Sequence, residues 1–332
     1  MQPELTTTDV ASYVERHYGR TGRAQALTGE RDANFHFIAN DGAEFVFKAA
    51  CASAEEPDID LPDGILLHLE GTDPGIPVPR VCRTPAGAYR IALVDAGGRR
   101  TEAMLCTFIP GVPLMSVQRC QAHRKKCGQW LARLGRALRS YEHPSCHRHL
   151  IWDLRRFSEV QGLLAQLPEA LHRPALEEFV QAFGSRVAPT LEGLRRQVVH
   201  NDLNARNVIV DSADTTQVAG IIDFGDAVHT ALVADVAVGV IGQLASPDVA
   251  SEAIVEFVGA YHAVEPLSVE ELGILNWLVA ARLVTNYVVV SWSRAQRPHD
   301  GHFAAFGPEF FQWRMELALQ LAADPRSVLR RL

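Results

Sequence analysis

His200-Asn201-Asp202-Leu203-Asn204-Ala205-Arg206-Asn207, followed sixteen residues after Asn207 by Asp223-Phe224-Gly225-Asp226, is the stretch from which the rest of this 332-residue chain can be read. Asp202 offers a carboxylate able to accept a hydroxyl proton, Asn207 an amide able to coordinate a metal, and Asp223 a metal carboxylate. Both halves lie against β-type runs, Gln197-Val198-Val199 before the first, Val208-Ile209-Val210 after it, and Val218 to Ile222 leading into Asp223. Turn-forming residues from Asp211 to Thr216 join the last two runs into a hairpin, which brings Asn207 and Asp223 to the same end. Such a set suits phosphoryl transfer, which asks a protein for positioning and charge neutralisation more than for covalent chemistry. On that reading Mg²⁺ sits between Asp223 and Asn207, Asp202 orients the attacking hydroxyl, and His200 is a scaffold residue hydrogen-bonded within the loop.

Upstream, the hydrophobic period changes from helical to alternating. A short helix opens the chain at Thr8-Asp9, with Val10, Tyr13, Val14 and His17 spaced along it. Strand-like runs follow at Arg23 to Thr28, Ala33 to Ala39 and Ala43 to Ala49, the last two joined by Asn40-Asp41-Gly42, a strong hairpin turn. A helix is expected from about Asp60 to Glu70, then runs at Val81 to Thr84, Tyr89 to Val94 and Glu102 to Phe108. These read as a five-stranded antiparallel sheet with one inserted helix. Beyond Phe108 the spacing is helical at 117–141, 154–167, 176–194, 232–244, 249–262, 269–292 and 303–323. The expected architecture is α+β, with residues 1–108 a small β-rich lobe that ends in a connecting strand and residues 109–332 a mainly helical lobe that carries the motif.

In the small lobe, Phe45-Val46-Phe47-Lys48 places a lysine in an apolar strand, on the face opposite Phe45 and Phe47. An inward lysine needs anionic partners, and nucleotide phosphates suit its compact charge. The loop from Leu27 to Phe35, which includes Asn34, is a plausible lid over those phosphates. A helical carboxylate should orient Lys48, and Asp60 is the candidate, with Glu55, Glu56, Asp58 and Asp63 as competitors.

Composition excludes several classes. Net charge is −7, and Lys and Arg form no long run, so a nucleic-acid partner is not expected. Six irregularly spaced cysteines without a C-x-x-C fit free thiols in a reducing cytoplasm, and the N-terminus has no secretory pattern. The apolar stretch Gly273 to Trp292 contains Asn276, Arg282 and Asn286, so it reads as a buried core helix and no membrane partner is expected. The group Cys120, His123, Cys127, His143, Cys146, His147 and His149 matches no zinc spacing.

Together these residues resemble the aminoglycoside phosphotransferase and choline kinase superfamily, whose members share the bilobal protein-kinase-like fold. The segments Thr28 to Phe35, Phe45 to Lys48, Pro77-Val78-Pro79, His200 to Asn204, Ile222 to Asp226 and Tyr261 to Leu283 look most like the hydroxylysine kinase group. The resemblance implies an ATP- or GTP-dependent, Mg²⁺-requiring kinase of a small hydroxylated, amine-bearing compound. It implies Asp202 as base, Asn207 and Asp223 as Mg²⁺ ligands, Lys48 as phosphate contact, Cys106 to Ile109, including Phe108, as the adenine-contacting hinge, and Asp235 as a second structural aspartate. Two positions depart from the pattern: Asn201 stands where many relatives carry Gly, and Pro62 lies in the helix expected to bear the Lys48 partner. The first-choice acceptor is 5-hydroxylysine, with homoserine, choline or ethanolamine and aminoglycosides as alternatives, and a nucleotide-binding pseudokinase without turnover as a further one. A protein kinase fits poorly, because Asn204 stands where those enzymes carry Lys and no Ala-Pro-Glu segment follows. For substrate contacts, Asp226, Glu265, Glu270 and Glu271 are possible partners of an ammonium, Arg206 or Arg282 of a carboxylate, and Trp152, Asp153 and Tyr287 possible wall residues.

Overall fold

The structure is a computed structural model that describes residues 3–27, 32–50, 56–98, 100–167, 169–297, 307–327 and 329–332. The chain divides into two compact units, Met1–Pro110 and Gly111–Leu332.

In the first unit, helix α1 (Thr7–Tyr18) starts one residue earlier than its sequence suggests because Thr6 and Asp9 cap each other. The Asp9 amide donates to the Thr6 hydroxyl at 3.1 Å, and the Thr6 amide donates to the Asp9 carboxylate at 2.9 Å. Strands β1 (Gly22–Leu27), β2 (Ala33–Ala39) and β3 (Glu44–Ala49) precede α2 (Glu56–Thr72), and β4 (Arg90–Val94) and β5 (Arg100–Thr107) follow it. All neighbours pair antiparallel in the order β1-β2-β3-β5-β4. The run Val81 to Thr84 forms only an isolated bridge from Val81 to Cys106, which leaves five strands. Phe35, Phe37, Phe45, Phe47 and Leu105 share one face, which packs with Val10, Val14 and Tyr18 of α1. Lys48 therefore lies on the opposite face, as strand alternation requires.

The second unit opens with the two-residue β6 (Val112–Pro113) and α3 (Gln121–Leu138). A 3₁₀ segment over 154–159 leads into α4 (Val160–Gln166), followed by α5 (Arg173–Arg186) and α6 (Ala188–Gly193). The strands β7 (Arg196–Val199), β8 (Val208–Val210), β9 (Val218–Ile221) and β10 (Val228–Ala231) come next, then α7 (Leu232–Gln243), α8 (Ala250–Val264), α9 (Val269–Gln296) and α10 (Pro308–Ala323). The hairpin β8-β9 extends to β6, while β7 pairs with β10, a strand that the sequence pattern did not reveal. α9 is apolar and long enough to cross a membrane, yet 89% of its most apolar window is buried inside the chain, so it is a core helix here. Among the described residues Cys82, Cys106, Cys120, Cys127 and Cys146 are free thiols, and Cys51 lies outside them.

Two features hold the helical unit together. α3 passes so close to α8 that a Cβ built on Gly128 would press on the Phe257 carbonyl oxygen. Glu265, 4% exposed, gathers Arg136, Arg139 and Arg195 at 2.7 to 2.8 Å, and Arg195 also pairs with the buried Glu271 at 2.7 Å. Glu271 in turn caps α9 through Ser268. Burial pushes the Glu265 carboxyl up, but the three arginines outweigh it and hold it below its ordinary range.

Three outcomes follow for stability. Gly128→Ala should cost about 2 kcal/mol in urea unfolding through overpacking. Gly162→Ala, whose Cβ meets nothing within 4 Å in α4, should be neutral or gain up to about 1 kcal/mol. Glu265→Gln should cost about 1 to 2 kcal/mol at pH 7, a figure discounted because the arginines are half-exposed. The ionised Glu265 is favoured in the folded state, so its contribution is complete above the ordinary carboxylate range and disappears as pH falls through the depressed value. Wild-type and Gln midpoints should accordingly converge below about pH 4.

Candidate active site

The loop between β7 and β8 is shaped by its own polar side chains. Asn201 has φ 61°, a left-handed conformation that Gly or Asn adopts most readily. Its amide donates to the buried carboxylate of Asp235 in the first turn of α7 at 2.7 Å, and its side-chain amide donates to the Asp226 carbonyl at 3.2 Å. His200 is fully buried against Phe224 and accepts the Asp202 amide on Nδ1 at 3.2 Å. Nε2 must then carry the proton, which it donates to the Ile222 carbonyl at 3.1 Å. Burial pushes the His200 ring down, toward the neutral form this pattern needs.

The Asp202 carboxylate is fixed within its own loop. Oδ1 accepts from Asn204 Nδ2 at 2.9 Å and Oδ2 from Asn207 Nδ2 at 2.8 Å, while Asn207 Nδ2 also donates to the Asp202 carbonyl at 2.9 Å. With both Asn207 bonds made by its nitrogen, the carbonyl oxygen Oδ1 is the atom left to face a metal. The Asn207 carbonyl accepts the Ile222 amide at 2.9 Å, which registers the loop against the end of β9 next to Asp223. Asp223 has φ 65°, is exposed, and accepts the Gly225 amide at 3.1 Å. An amide oxygen and an exposed carboxylate are hard oxygen donors of the kind Mg²⁺ prefers, so the residues present fit that ion.

Beneath the loop, Arg282 of α9 is 4% exposed and lies 3.7 Å from Asp202 Oδ1. Burial pushes the Asp202 carboxyl up to about 7, opposed by the Arg282 charge and reinforced by Asp226 and Asp223. Asp235 is likewise pushed up to about 7 by burial, against the amides of Asn201 and His200.

Several residues considered as substrate contacts are instead committed to the core. Glu265 and Glu271 are spent on arginines, as described above. Asp153, fully buried, accepts from Thr230 at 2.7 Å and pairs with Arg155 at 2.8 Å. The Tyr287 hydroxyl accepts the Leu171 amide at 2.7 Å. Trp152 stays partly exposed, its ring 5.1 Å from the Arg282 guanidinium. Asp226 and Arg206 are also partly exposed, and Glu270 is on the surface.

In the first unit, strand register puts Asn34 opposite Lys48, Lys48 opposite Met104, and Val46 opposite Cys106, so Asn34, Lys48 and Cys106 share one face. The Asn34 Oδ1 is buried without a hydrogen-bond partner, which leaves an acceptor for a ligand on that face. Cys106 is buried, and burial pushes its thiol up to about 12, so it acts as a small apolar group. The Phe108 amide donates to the Glu44 carbonyl at 3.0 Å, and its ring stacks on His36 at 4.1 Å. Asp60 is not at the start of the helix, because α2 begins at Glu56. Its side chain, 38% exposed, pairs with Arg90 at 2.8 Å. Asp63, 2% exposed, pairs with Arg90 at 2.6 Å and is the carboxylate on which the Lys48 charge acts. Burial pushes the Asp63 carboxyl up to about 6 against Arg90 and Lys48. Thr28, Gly29, Glu30 and Arg31 of the lid loop and the competitor Glu55 lie outside the described residues, as do the side chains of Glu56 and Asp58.

Of the cysteine and histidine group, Cys127 is buried in α3 and His149 pairs with Glu159 at 2.9 Å. Cys146 and His147 approach Glu142 so that their ligand atoms lie within 4.8 Å of one another.

The sequence profile of the phosphotransferase enzyme family matches residues 23–272. A hydroxylysine kinase of Mus musculus is 25% identical over 326 residues, covering 91% of this chain and 86% of that protein. A homoserine kinase of Methylobacillus flagellatus is 30% identical over 242 residues, covering 71% and 69%. Among solved structures, an amicoumacin kinase in complex with AMP-PNP and Ca²⁺ superposes with a TM-score of 0.69 over 99% of this chain and 98% of its own, at 14% identity. A microcompartment-associated aminopropanol kinase does so at 0.61 over 98% of both chains, at 15% identity. These superpositions carry the protein-kinase-like fold, and the profile spans both the Lys48 strand and the Asp202 loop. The chain therefore belongs to the phosphotransferase enzyme family and is a small-molecule kinase that delivers a phosphoryl group to a hydroxyl acceptor.

Proposed function

We propose that the acceptor is an amino alcohol or hydroxy amino acid, with 5-hydroxylysine first and homoserine second, and that the donor is ATP or GTP with Mg²⁺, in a cytoplasmic setting. The observation that carries the reaction is the Asp202 carboxylate, held by Asn204 and Asn207 beside a loop that presents Asp223. The order of acceptors follows the hydroxylysine kinase match over 91% of the chain, ahead of the homoserine kinase match over 71%.

In this reading Asp202 accepts the acceptor's hydroxyl proton as the oxygen attacks the γ-phosphorus, and Asn204 and Asn207 keep the carboxylate from rotating away. Asn207 Oδ1 and the Asp223 carboxylate hold Mg²⁺, which when bound offsets phosphate charge. Lys48 contacts the donor's phosphates, with Asn34 beside it on the sheet face. Cys106 contributes apolar surface to the base site, and Phe108 with Ile109 its polar contacts. Asp63 replaces Asp60 as the carboxylate that orients Lys48, because it is the buried one of the pair. With Glu265 and Glu271 committed elsewhere, Asp226 is the anion assigned to an acceptor ammonium.

Phosphoryl transfer from ATP and from GTP should be measured across hydroxylysine, homoserine, ethanolamine, choline and an aminoglycoside. Turnover is expected with hydroxylysine or homoserine and should fall by about 10³-fold or more in Asp202→Asn with nucleotide binding retained, whereas Asp223→Asn should also weaken Mg²⁺-nucleotide binding. Full activity in the Asp202 variant would remove the base from this scheme, and silence across the panel despite nucleotide binding would favour a binding module. Asp63→Asn should raise the nucleotide KM by on the order of tenfold, while Asp60→Asn changes it less than about threefold. Equal effects of the two would return the Lys48 partner to an open choice.

A further inference from the structure

Arg282 lies ten residues beyond the span matched by the family profile, near the middle of the longest helix in the described chain. A buried guanidinium needs acceptors for its five donors and a counter-charge. NH1 donates to the Trp152 carbonyl at 2.6 Å, NH2 to the Asn201 carbonyl at 3.4 Å, and the group stacks over the Trp152 ring. These contacts fix the plane of the cation on backbone and ring. They also leave its NH2 edge 3.7 Å from Asp202 Oδ1.

That distance distinguishes two kinds of partner. Asn204 and Asn207 bond the carboxylate directly, but both belong to the same loop as Asp202 and move with it. Arg282 belongs to α9, so its charge ties the carboxylate itself to the helical core, beside the backbone tie from Asn201 to Asp235 of α7. At 3.7 Å it attracts the carboxylate as a charge without taking up the lone pairs that must accept a hydroxyl proton. A bidentate arginine at direct hydrogen-bond distance would occupy them.

We propose that Arg282 is a positioning residue for phosphoryl transfer: anchored to the Trp152 and Asn201 carbonyls, its guanidinium holds Asp202 at ion-pair distance and in the orientation that meets the acceptor hydroxyl. The proposal rests on the reading of Asp202 as the base. It separates Arg282 from the substrate-carboxylate role, because the guanidinium is 4% exposed and both terminal nitrogens already bond protein carbonyls.

A double-mutant cycle tests it, measuring kcat, nucleotide KM and thermal midpoint for wild type, Arg282→Lys, Asp202→Asn and the double variant, with the best acceptor of the panel. Lysine keeps the charge but loses the fork that fixes its position. Arg282→Lys should lower kcat by about 100-fold with the nucleotide KM unchanged within about threefold. In the Asp202→Asn background the same substitution should change the residual kcat by less than about twofold, because its effect passes through the missing carboxylate. An equal loss in both backgrounds, or no loss in either, overturns the proposal and leaves the base assignment standing. Full turnover in Asp202→Asn alone overturns both. If the Arg282 variant does not fold, Trp152→Leu removes the ring under the guanidinium and leaves the backbone carbonyls. It should lower kcat several-fold at constant KM, and an unchanged kcat there also overturns the proposal.

Discussion

The active loop depends on one buried carboxylate. Asp235 sits in the first turn of α7, a helix whose residues are almost all buried, and it receives the Asn201 amide. A carboxylate at a helix N-terminus is stabilised by the helix dipole, so it can remain in the interior as an acceptor for loop amides. Asn201 donates this bond from a left-handed conformation, and that turn leads directly into Asp202. His200 then fixes the Asp202 amide on one side and the Ile222 carbonyl on the other, which joins the loop to the strand leading to Asp223. Asp202, Asn207 and Asp223 thus hang from a common frame of α7, His200 and the β8-β9 hairpin.

The carboxylates around this frame outnumber its buried cation. Arg282 is surrounded by Asp202, Asp226, Asp235 and Asp153, each of which favours its charged form against burial. One cation cannot neutralise four carboxylates. Asp153 has Arg155 as its own partner and Asp235 has backbone donors, while Asp226 and Asp223 act as like charges on Asp202. That residual negative charge is what a divalent ion and an ammonium-bearing acceptor would meet.

Much of this was legible in the sequence, for physical reasons that differ by element. The loop and hairpin could be read because their functional residues are close in sequence and bounded by strands, so local spacing fixes their geometry. Lys48 could be placed because alternation in a strand has only two faces. The fourth of the six strand-like runs, Val81 to Thr84, formed no strand, because four residues of alternating character cannot reveal that only Val81 finds a bridge partner. Asp60 was preferred over Asp63 because the helix start was placed four residues late, and one turn of helix decides which carboxylate is buried. Glu265 and Glu271 stood open as ammonium partners, and Asp153 and Tyr287 as wall residues, because Arg136, Arg139, Arg195, Thr230 and Leu171, which hold them, lie far away in the sequence. The clue to Arg282 was a single arginine in an apolar helix, which demands a counter-charge without saying which one.

Asn207 links two tasks in one conjugated group. Its nitrogen donates to Asp202, and its oxygen is the atom proposed above to hold Mg²⁺. Electron density in an amide is shared across O, C and N, so a cation seated on the oxygen draws density from the nitrogen and makes its N–H groups stronger donors. The grip on the Asp202 carboxylate would then tighten as the metal arrives with the nucleotide. The site would report donor occupancy to its base through a single side chain, which favours an enzyme whose acceptor is engaged productively only after the donor is in place.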